Sequence, residues 1–447
     1  MRVAVIGGGI AGLAAAWQLR SEADVTVFEP SRLGGKIATE PFEGRDVDCG
    51  PDAFITRTPD GIALCAEVGV DDLVAPQAGR TLLWWQGRLR ALPDGLVLGA
   101  PKRLLPLVRS GLLTPSGLLR AAADLVLPLR RLPDDVSVRE LVAGRFGAQV
   151  ADRLVDPLVG SIHAGSTKDL SAMTTVPQLV EAARRSRSLL LGLRRAAQAT
   201  SDGGPLFLAP RRGLGHLVER TIQGLDNAGV QFCPLSVTSL IRDGQRWRVE
   251  PGGEPFDAVV VATNATAAGR ILSPDGPSGL FEIPTASVAL VTLGYPAIDL
   301  PQGVNGVLVP ASTGWLMTAC SFGSAKWPHW ANPGRSILRV SAGRDRDTRA
   351  LALGDEELVD RLAGEMATAL GIRDQPHTWR VSRWPDSFPQ YRVGHTAQVE
   401  RITDELRRTY PKVTICGASY NGAGIPACIS SGRAAARTVL RATRELR

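Results

Sequence analysis

Three glycines spaced as Gly7-x-Gly9-x-x-Gly12, followed by a carboxylate at Glu29, are the residues of this chain best suited to a defined chemistry: holding a dinucleotide. Gly7 permits a tight turn, Gly9 lets backbone approach a pyrophosphate, and Gly12 lets a helix pack closely on a strand. With Gly8, Ile10 and Ala11 they would present free N–H groups and the positive end of a helix dipole to the phosphates. Glu29 stands where a carboxylate accepts hydrogen bonds from ribose hydroxyls, and Pro30 follows it. A second glycine pair, Gly34-Gly35, precedes Lys36, with Arg32 close by. That piece alone reads equally as backbone near phosphate or as a surface turn with a solvated lysine. The stretch Gly50-Pro51-Asp52-Ala53 reads as a rigid turn running into an apolar step, and the turn Gly422-Ala-Gly424-Ile425-Pro426, between a strand and the last helix, could bring backbone against the same ligand.

The elements needed to position these groups are legible. A β-branched run at Val3, Val5 and Ile6 feeds the first turn, an Ala/Leu-rich helix runs from Leu13 to Arg20, and Asp24 to Phe28 forms a second strand ending at Glu29. This strand–turn–helix–strand order gives the glycine spacing its meaning. Thr58-Pro59 reads as an N-cap with proline at the first helical position, opening a helix to about Val68. Residues 81–92 read as a hairpin about Gln86-Gly87. Short helices are predicted over 101–110, 116–127, 137–145, 147–158 and 178–199, with a capping box at Ser137 and Glu140. Strands follow at 230–233, 236–241 and 246–250, then a fully buried strand over 256–263 and a helix over 265–272. The span 284–384 alternates strands (287–294, 304–309, 315–321, 336–342 and 377–384) with one helix, 355–370. A strand at Val413 leads through the last glycine turn into a helix over 427–443.

With 447 residues, 44% of them hydrophobic, the chain can bury more than one core. No apolar run reaches the ~18 residues a spanning helix needs, and no signal or transit peptide is expected. Six scattered cysteines without C-x-x-C spacing point to a reducing cytoplasm, not to disulfides. The five histidines show no metal-ligand spacing. A formal charge of +7, built from five lysines and 46 arginines, suits acidic small molecules or an anionic membrane surface. Nucleic acid is disfavoured, since no basic block is interleaved with aromatics. Leucines beside Arg103, Arg109 and Arg120 leave a peripheral membrane contact open next to ordinary packing.

Longer stretches carry a resemblance. Leu33-Gly-Gly-Lys36, Gly50-Pro-Asp-Ala-Phe54, residues 92–101, Asp156-Pro-Leu-Val-Gly-Ser-Ile-His-Ala-Gly165, Arg383-Trp384, Pro389-Gln-Tyr391 and residues 417–429 resemble the coproporphyrinogen III oxidase/protoporphyrinogen oxidase family of haem synthesis, especially its Gram-positive type. The resemblance implies FAD as cofactor. It implies contacts from Gly7, Gly8, Gly9, Ile10, Ala11, Gly12, Glu29, Pro30, Gly35 and Lys36, and from Gly50, Pro51, Asp52 and Ala53 along the flavin. Val237 would hold the adenine by its backbone, and Trp384, Gly424, Ile425 and Pro426 would surround the ring. It departs from the family pattern at Ala427, usually Asp, and at Thr58, often Lys.

The implied fold is α/β: a discontinuous FAD-binding Rossmann-like domain (1–56, 205–285 and 385–447), a mixed-sheet substrate domain (57–95 and 286–384) and a helical, membrane-facing candidate (96–204). The implied reaction removes hydride and a nitrogen proton from a porphyrinogen, dioxygen taking the electrons to give peroxide over three cycles. The product would pass to a later enzyme of the haem pathway. No side chain is assigned as catalyst and no metal is expected. A substrate bearing several propionates needs cations. Arg57 is the first candidate, with Lys168 and Arg187 behind it, and Tyr391 and His395 as pocket-lining groups, a structural role for His395 standing equally open. Protoporphyrinogen as substrate, another flavin amine oxidase or desaturase, and a flavin-binding scaffold without turnover are the competing readings.

Overall fold

The computed structural model describes residues 1–128, 131–199 and 204–444. Residues 200–203 of the expected helical part therefore lie outside the described residues. At the centre is a parallel five-stranded sheet in the order Gln231–Cys233, Asp24–Phe28, Arg2–Ile6, Ala258–Val261, Val413–Ile415. Val3 pairs with Val25 on one side and Ala258 on the other. Because side chains alternate along a strand, Val3 and Val5 enter one core with the helices Ile10–Leu19, Leu214–Asn227 and Ile425–Arg444. Ala4 and Ile6 enter a second core on the opposite face, with Val237, Leu240, Trp247 and the helices Ala265–Ile271 and His395–Thr409. Covered on both faces, these strands must be apolar throughout, and Val259, Val260 and Val261 are fully buried.

A second, mixed sheet of seven strands runs Thr378–Pro389, Thr285–Pro296, Arg335–Ala342, Met317–Ser321, Val304–Leu308, Arg80–Trp85, Arg88–Ala91. Its last two strands are the expected hairpin, turned by Gln86 and Gly87 at φ 50° and 73°. The helix Asp355–Leu370 packs on this sheet through Leu358, Leu362 and Met366. Its first turn carries Asp355, Glu356 and Glu357, which complement the helix dipole. The fold is thus of the expected class.

Several boundaries differ. The stretch 178–199 is two helices, Pro177–Arg185 and Leu189–Ala199. Buried Asp124 accepts hydrogen bonds from Ser188 Oγ and from the Leu189 and Leu190 N–H groups, and so starts a new helix there. The same carboxylate pairs with Arg145 at 2.6 Å, both side chains almost wholly buried. The capping box at Ser137 and Glu140 forms. Helix 101–110 starts only at Leu105, since Ala100 and Pro101 pair as a strand with Leu96 and Val97. The helix from 148 runs on to His163 through a wide turn at Ala151–Val155. Thr58 caps nothing, as the helix Asp60–Glu67 begins after Pro59. The single strand over 256–263 is two, because Pro255–Phe256 joins a small antiparallel sheet before Ala258–Val261 enters the central one.

Candidate functional site

The carboxyl ends of the parallel strands carry the turns that the sequence singles out, which is where ligands bind in open α/β sheets. Gly7, at φ 108°, donates its N–H to Phe28 O at 2.8 Å; a Cβ there would lie 2.9 Å from Ala262 O. A Cβ on Gly12 would stand 1.9 Å from Gly7 O, so the helix can sit this close only without one. Gly9 is different: a Cβ there would meet nothing within 4 Å. The helix Ile10–Leu19 starts at Gly9 with no side-chain cap and no acidic residue in its first turn, so its N–H groups face that open space.

Glu29 reaches back to the turn, its Oε2 accepting from Gly8 N at 2.8 Å and its Oε1 from Ser31 N and Oγ. The second glycine pair stacks on the first. Gly34 N donates to Gly8 O at 2.8 Å, and a Cβ on Gly35 would come within 3.3 Å of Gly9 Cα. Of the two readings of this pair, backbone near the ligand is the one the packing favours. Pro30 stays exposed at the edge.

Lys36 leads to the next turn. Its Nζ donates to Ser387 O, and a Cβ on Gly50 would be 2.0 Å from Lys36 O. Trp384 Nε1 donates to Cys49 O at 3.2 Å, with its ring 3.8 Å from the same Gly50 position. Protein atoms crowd Lys36 and lower its ammonium below the usual value, yet its side chain keeps solvent-exposed surface. Cys428, in the first turn of the helix Ile425–Arg444, interacts electrostatically with Lys36, which places the Gly424-Ile425-Pro426 end of that helix near Lys36. Ile425 and Pro426 are buried. That helix crosses the first one so closely that a Cβ on Gly432 would be 2.0 Å from Ala11 O. Val237, 9% exposed, has backbone N–H and C=O groups that pair with nothing among the described residues.

These features fit a flavin dinucleotide: an open helix N-terminus over Gly9, a carboxylate fixed at a strand end, a cation at Lys36, and an unpaired buried backbone at Val237. Asp52 and Ala53 turn to the other side. Asp52 Oδ2 takes three partners, Lys326 Nζ and Trp327 Nε1 at 3.0 Å and Arg339 Nη1 at 3.4 Å. The two cations hold its carboxyl well below the usual carboxylate range despite burial. Arg339 also donates to Gly50 O. Asp52, Ala53 and Lys326 line a cleft of about 570 Å³ between the Cys49–Ala53 turn and the mixed sheet. Its walls are largely apolar, with Leu206 and Phe207 at one side and Val307, Leu308 and Ala319 at the other.

The expected substrate residues scatter. Arg57 is exposed and has no partner among the described residues. It follows Thr56, whose N–H bonds Leu206 O at 3.0 Å, so Arg57 stands by the lip of the cleft. Lys168 lies exposed on the helical segment and is not brought to the cleft. Arg187 donates to Leu125 O within that segment. Tyr391 and His395 do not line an open pocket. Tyr391 is 1% exposed with its hydroxyl on Ala418 O, and His395 is 3% exposed with Nε2 2.9 Å from Tyr420 O. Their rings pack together at 4.8 Å, and burial lowers the His395 imidazolium and raises the Tyr391 phenol. Both are spent on holding the short helix Ala418–Asn421, the backbone that precedes the last glycine turn. Lys326, Trp327 and Arg339 had no motif to announce them. The scarcity of lysine in an arginine-rich chain was the one available signal.

Known proteins are similar to this one along nearly the whole chain. The family profile described as flavin containing amine oxidoreductase matches residues 10–440. Coproporphyrinogen III oxidase of Bacillus subtilis (strain 168) is 33% identical, the alignment covering 98% of this chain and 97% of that one. The protein of the same name from Staphylococcus aureus (strain NCTC 8325 / PS 47) is 30% identical and covers 98% of both. A solved structure from Exiguobacterium sp. 255-15, named as a protoporphyrinogen oxidase, superposes with a TM-score of 0.90 at 28% identity, covering 98% of this chain and 99% of that one.

Proposed function

The chain belongs to the flavin-containing amine oxidoreductase family, and from that premise we propose that it is a FAD-dependent oxidase of haem biosynthesis whose substrate is coproporphyrinogen III. The observation that carries this reading is the full-length likeness to coproporphyrinogen III oxidases on a fold whose glycine turns fit FAD. FAD, when bound, supplies the redox chemistry, taking hydride from the porphyrinogen and passing the electrons to dioxygen as peroxide.

The chain's own residues bind, orient and exclude water. Gly7, Gly8, Gly9, Ile10, Ala11 and Gly12 would hold the diphosphate by backbone, with Gly35 stacked beneath and Lys36 offsetting negative charge. Glu29 would take the ribose, Val237 the adenine. Gly50, Pro51, Trp384, Gly424, Ile425 and Pro426 would frame the ring, with Asp52 and Ala53 passing from the ring to the cleft. The largely apolar cleft would keep the reacting carbon away from bulk water, and Arg57 at its lip would meet a propionate. The same reading divides the chain into a FAD-binding part (1–56, 205–285 and 385–447), a substrate part (57–95 and 286–384) and a helical part (96–204). The strand Thr378–Pro389 passes from the second into the first. Among the described residues no helix is long and apolar enough to cross a membrane. Exposed Leu105, Val108, Leu119 and Val126 on the helical part favour a peripheral contact, from which the porphyrin would pass to a later enzyme of the pathway.

The test is direct. The purified protein, loaded with FAD, is expected to convert coproporphyrinogen III under air into a fluorescent porphyrin with stoichiometric peroxide, and faster than it converts protoporphyrinogen IX. Flat fluorescence traces from a protein that holds FAD would overturn the proposal. Faster turnover of protoporphyrinogen IX would overturn the choice of substrate.

A further inference from the structure

The cleft beside Asp52 is lined by one ammonium that keeps part of its surface open. Asp52 is the one carboxylate in its lining, and both Lys326 and Arg339 are paired to it. Asp48, just before the same turn, also faces Arg339, so that guanidinium is shared between two carboxylates. Arg339 is 7% exposed and already bonded to Gly50 O, so its charge is fixed in place. Lys326 is the movable member. Its side chain keeps 23% of its surface open, it lines the cleft, and its ammonium rests 5.1 Å over the Trp327 ring. The backbone beneath it is held, since Gln77 N donates to Lys326 O at 2.7 Å.

A second observation points the same way. Ser321, on the strand that forms one wall of the cleft, has a buried hydroxyl with no hydrogen-bond partner among the described residues. A buried hydroxyl left unpaired is destabilising unless a ligand satisfies it. Apolar walls, an unpaired hydroxyl and a partly open ammonium together describe a receptor for an apolar body bearing a carboxylate. The exposed side chains of Leu206 (43%) and Phe207 (42%) sit at the opening, where such a body would cover them.

We infer that Lys326 Nζ receives one propionate of the tetrapyrrole, helped by Ser321 Oγ of the same cleft lining, while Trp327 and Arg339 keep Asp52 in place. This rests on the porphyrinogen reading above and adds to it the residue that meets the substrate's charge. Lys326 is then a specificity residue. It favours a tetrapyrrole that presents a carboxylate at the floor of the cleft, and it takes no part in electron transfer.

The experiment uses the full FAD-loaded chain and two probes of equal shape, coproporphyrin III and its tetramethyl ester, with binding followed by porphyrin fluorescence. The wild type should prefer the acid. Lys326→Met should weaken the acid about tenfold or more, the scale of one charge-assisted hydrogen bond, and leave the ester unchanged. Lys326→Arg should restore most of the preference, and Ser321→Ala should weaken the acid a few-fold. For coproporphyrinogen III the loss should fall on KM, with kcat little changed, and the flavin spectrum should stay as in the wild type. Equal weakening of acid and ester in Lys326→Met would mean that Lys326 only props up Asp52, and would overturn the inference; so would no weakening of either. Should Lys326→Met fail to fold, Lys326→Arg and Ser321→Ala decide on the same criterion. Failure of the parent reading looks different: the wild type itself would form no porphyrin.

Discussion

The cradle at the ends of the parallel strands and the cleft under the mixed sheet share one turn, Cys49–Ala53, yet they are built from different material. The cradle is backbone: Gly7, Gly12, Gly34 and Gly50 each sit where a Cβ would strike another chain segment. The cleft is side chains: Asp52, Lys326, Trp327 and Arg339 come from segments almost 300 residues apart in sequence. A backbone site depends on the absence of atoms and fails abruptly when atoms are added. A side-chain site depends on pairings and degrades by degrees. Substitutions of graded severity can break that contrast or sharpen it.

The largest effect is expected for Gly12→Val. The new Cβ would stand 1.9 Å from Gly7 O, so the first helix must leave the turn. FAD binding, read as visible absorbance after dialysis against excess cofactor, should be abolished. A yellow Gly12→Val protein would mean that the cradle tolerates movement and that the contrast is false.

This difference in material also governs what could be read from the chain. Gly7, Gly9, Gly12 and Glu29 lie within one strand–turn–helix–strand unit, so local spacing suffices to find them. The hairpin at Gln86-Gly87 and the capping box at Ser137 are equally local. Lys326 meets Asp52 only because the mixed sheet folds over the turn, and neither residue's neighbours in sequence reveal it. The same blindness misread Tyr391 and left His395 open between pocket and structural roles: their motif was visible, but not that Ala418 O and Tyr420 O take up their polar atoms. The break at Ser188 was hidden for the same reason, because the carboxylate that starts the new helix is Asp124.

Next in size is Arg145→Met, outside both regions. Asp124 would be left as a buried charge without its ion-pair partner, a loss of about 3–5 kcal/mol. The melting temperature should fall by several degrees, while FAD affinity at a temperature where the protein is still folded should not change. An equal fall in FAD affinity would show that cradle and helical segment act as one energetic unit.

Gly9→Ala separates fold from ligand within the cradle itself. Gly9 has φ −69° and ψ 173°, which any residue adopts, and its Cβ would meet no protein atom. Stability without FAD should change by less than about 1 kcal/mol, whereas FAD affinity should drop roughly tenfold, about 1.4 kcal/mol, because only the cofactor occupies that space. Unchanged FAD affinity would place the diphosphate elsewhere.

The smallest effect tests the joint between the two regions. Asp48 precedes the shared turn and is fully buried, its Oδ1 accepting from Thr39 Oγ1 at 2.5 Å and Leu214 N at 2.8 Å, its Oδ2 unpaired. Burial pushes its carboxyl up to about 6, partly countered by the bond from Thr39 and the charge of Arg339. A carboxyl whose folded value is raised holds a proton that the unfolded chain has released. The native state therefore loses stability as pH rises from about 4 to about 6, and carries the full penalty above that window. Asp48→Asn keeps an acceptor for Leu214 and cannot ionise. Relative to the wild type, its melting temperature should shift upward by a few degrees between about pH 4.5 and about pH 7.5. A difference between the two proteins that stays constant over this range would mean that Asp48 is ionised throughout in the folded chain, with Arg339 and the Leu214 N–H outweighing its burial.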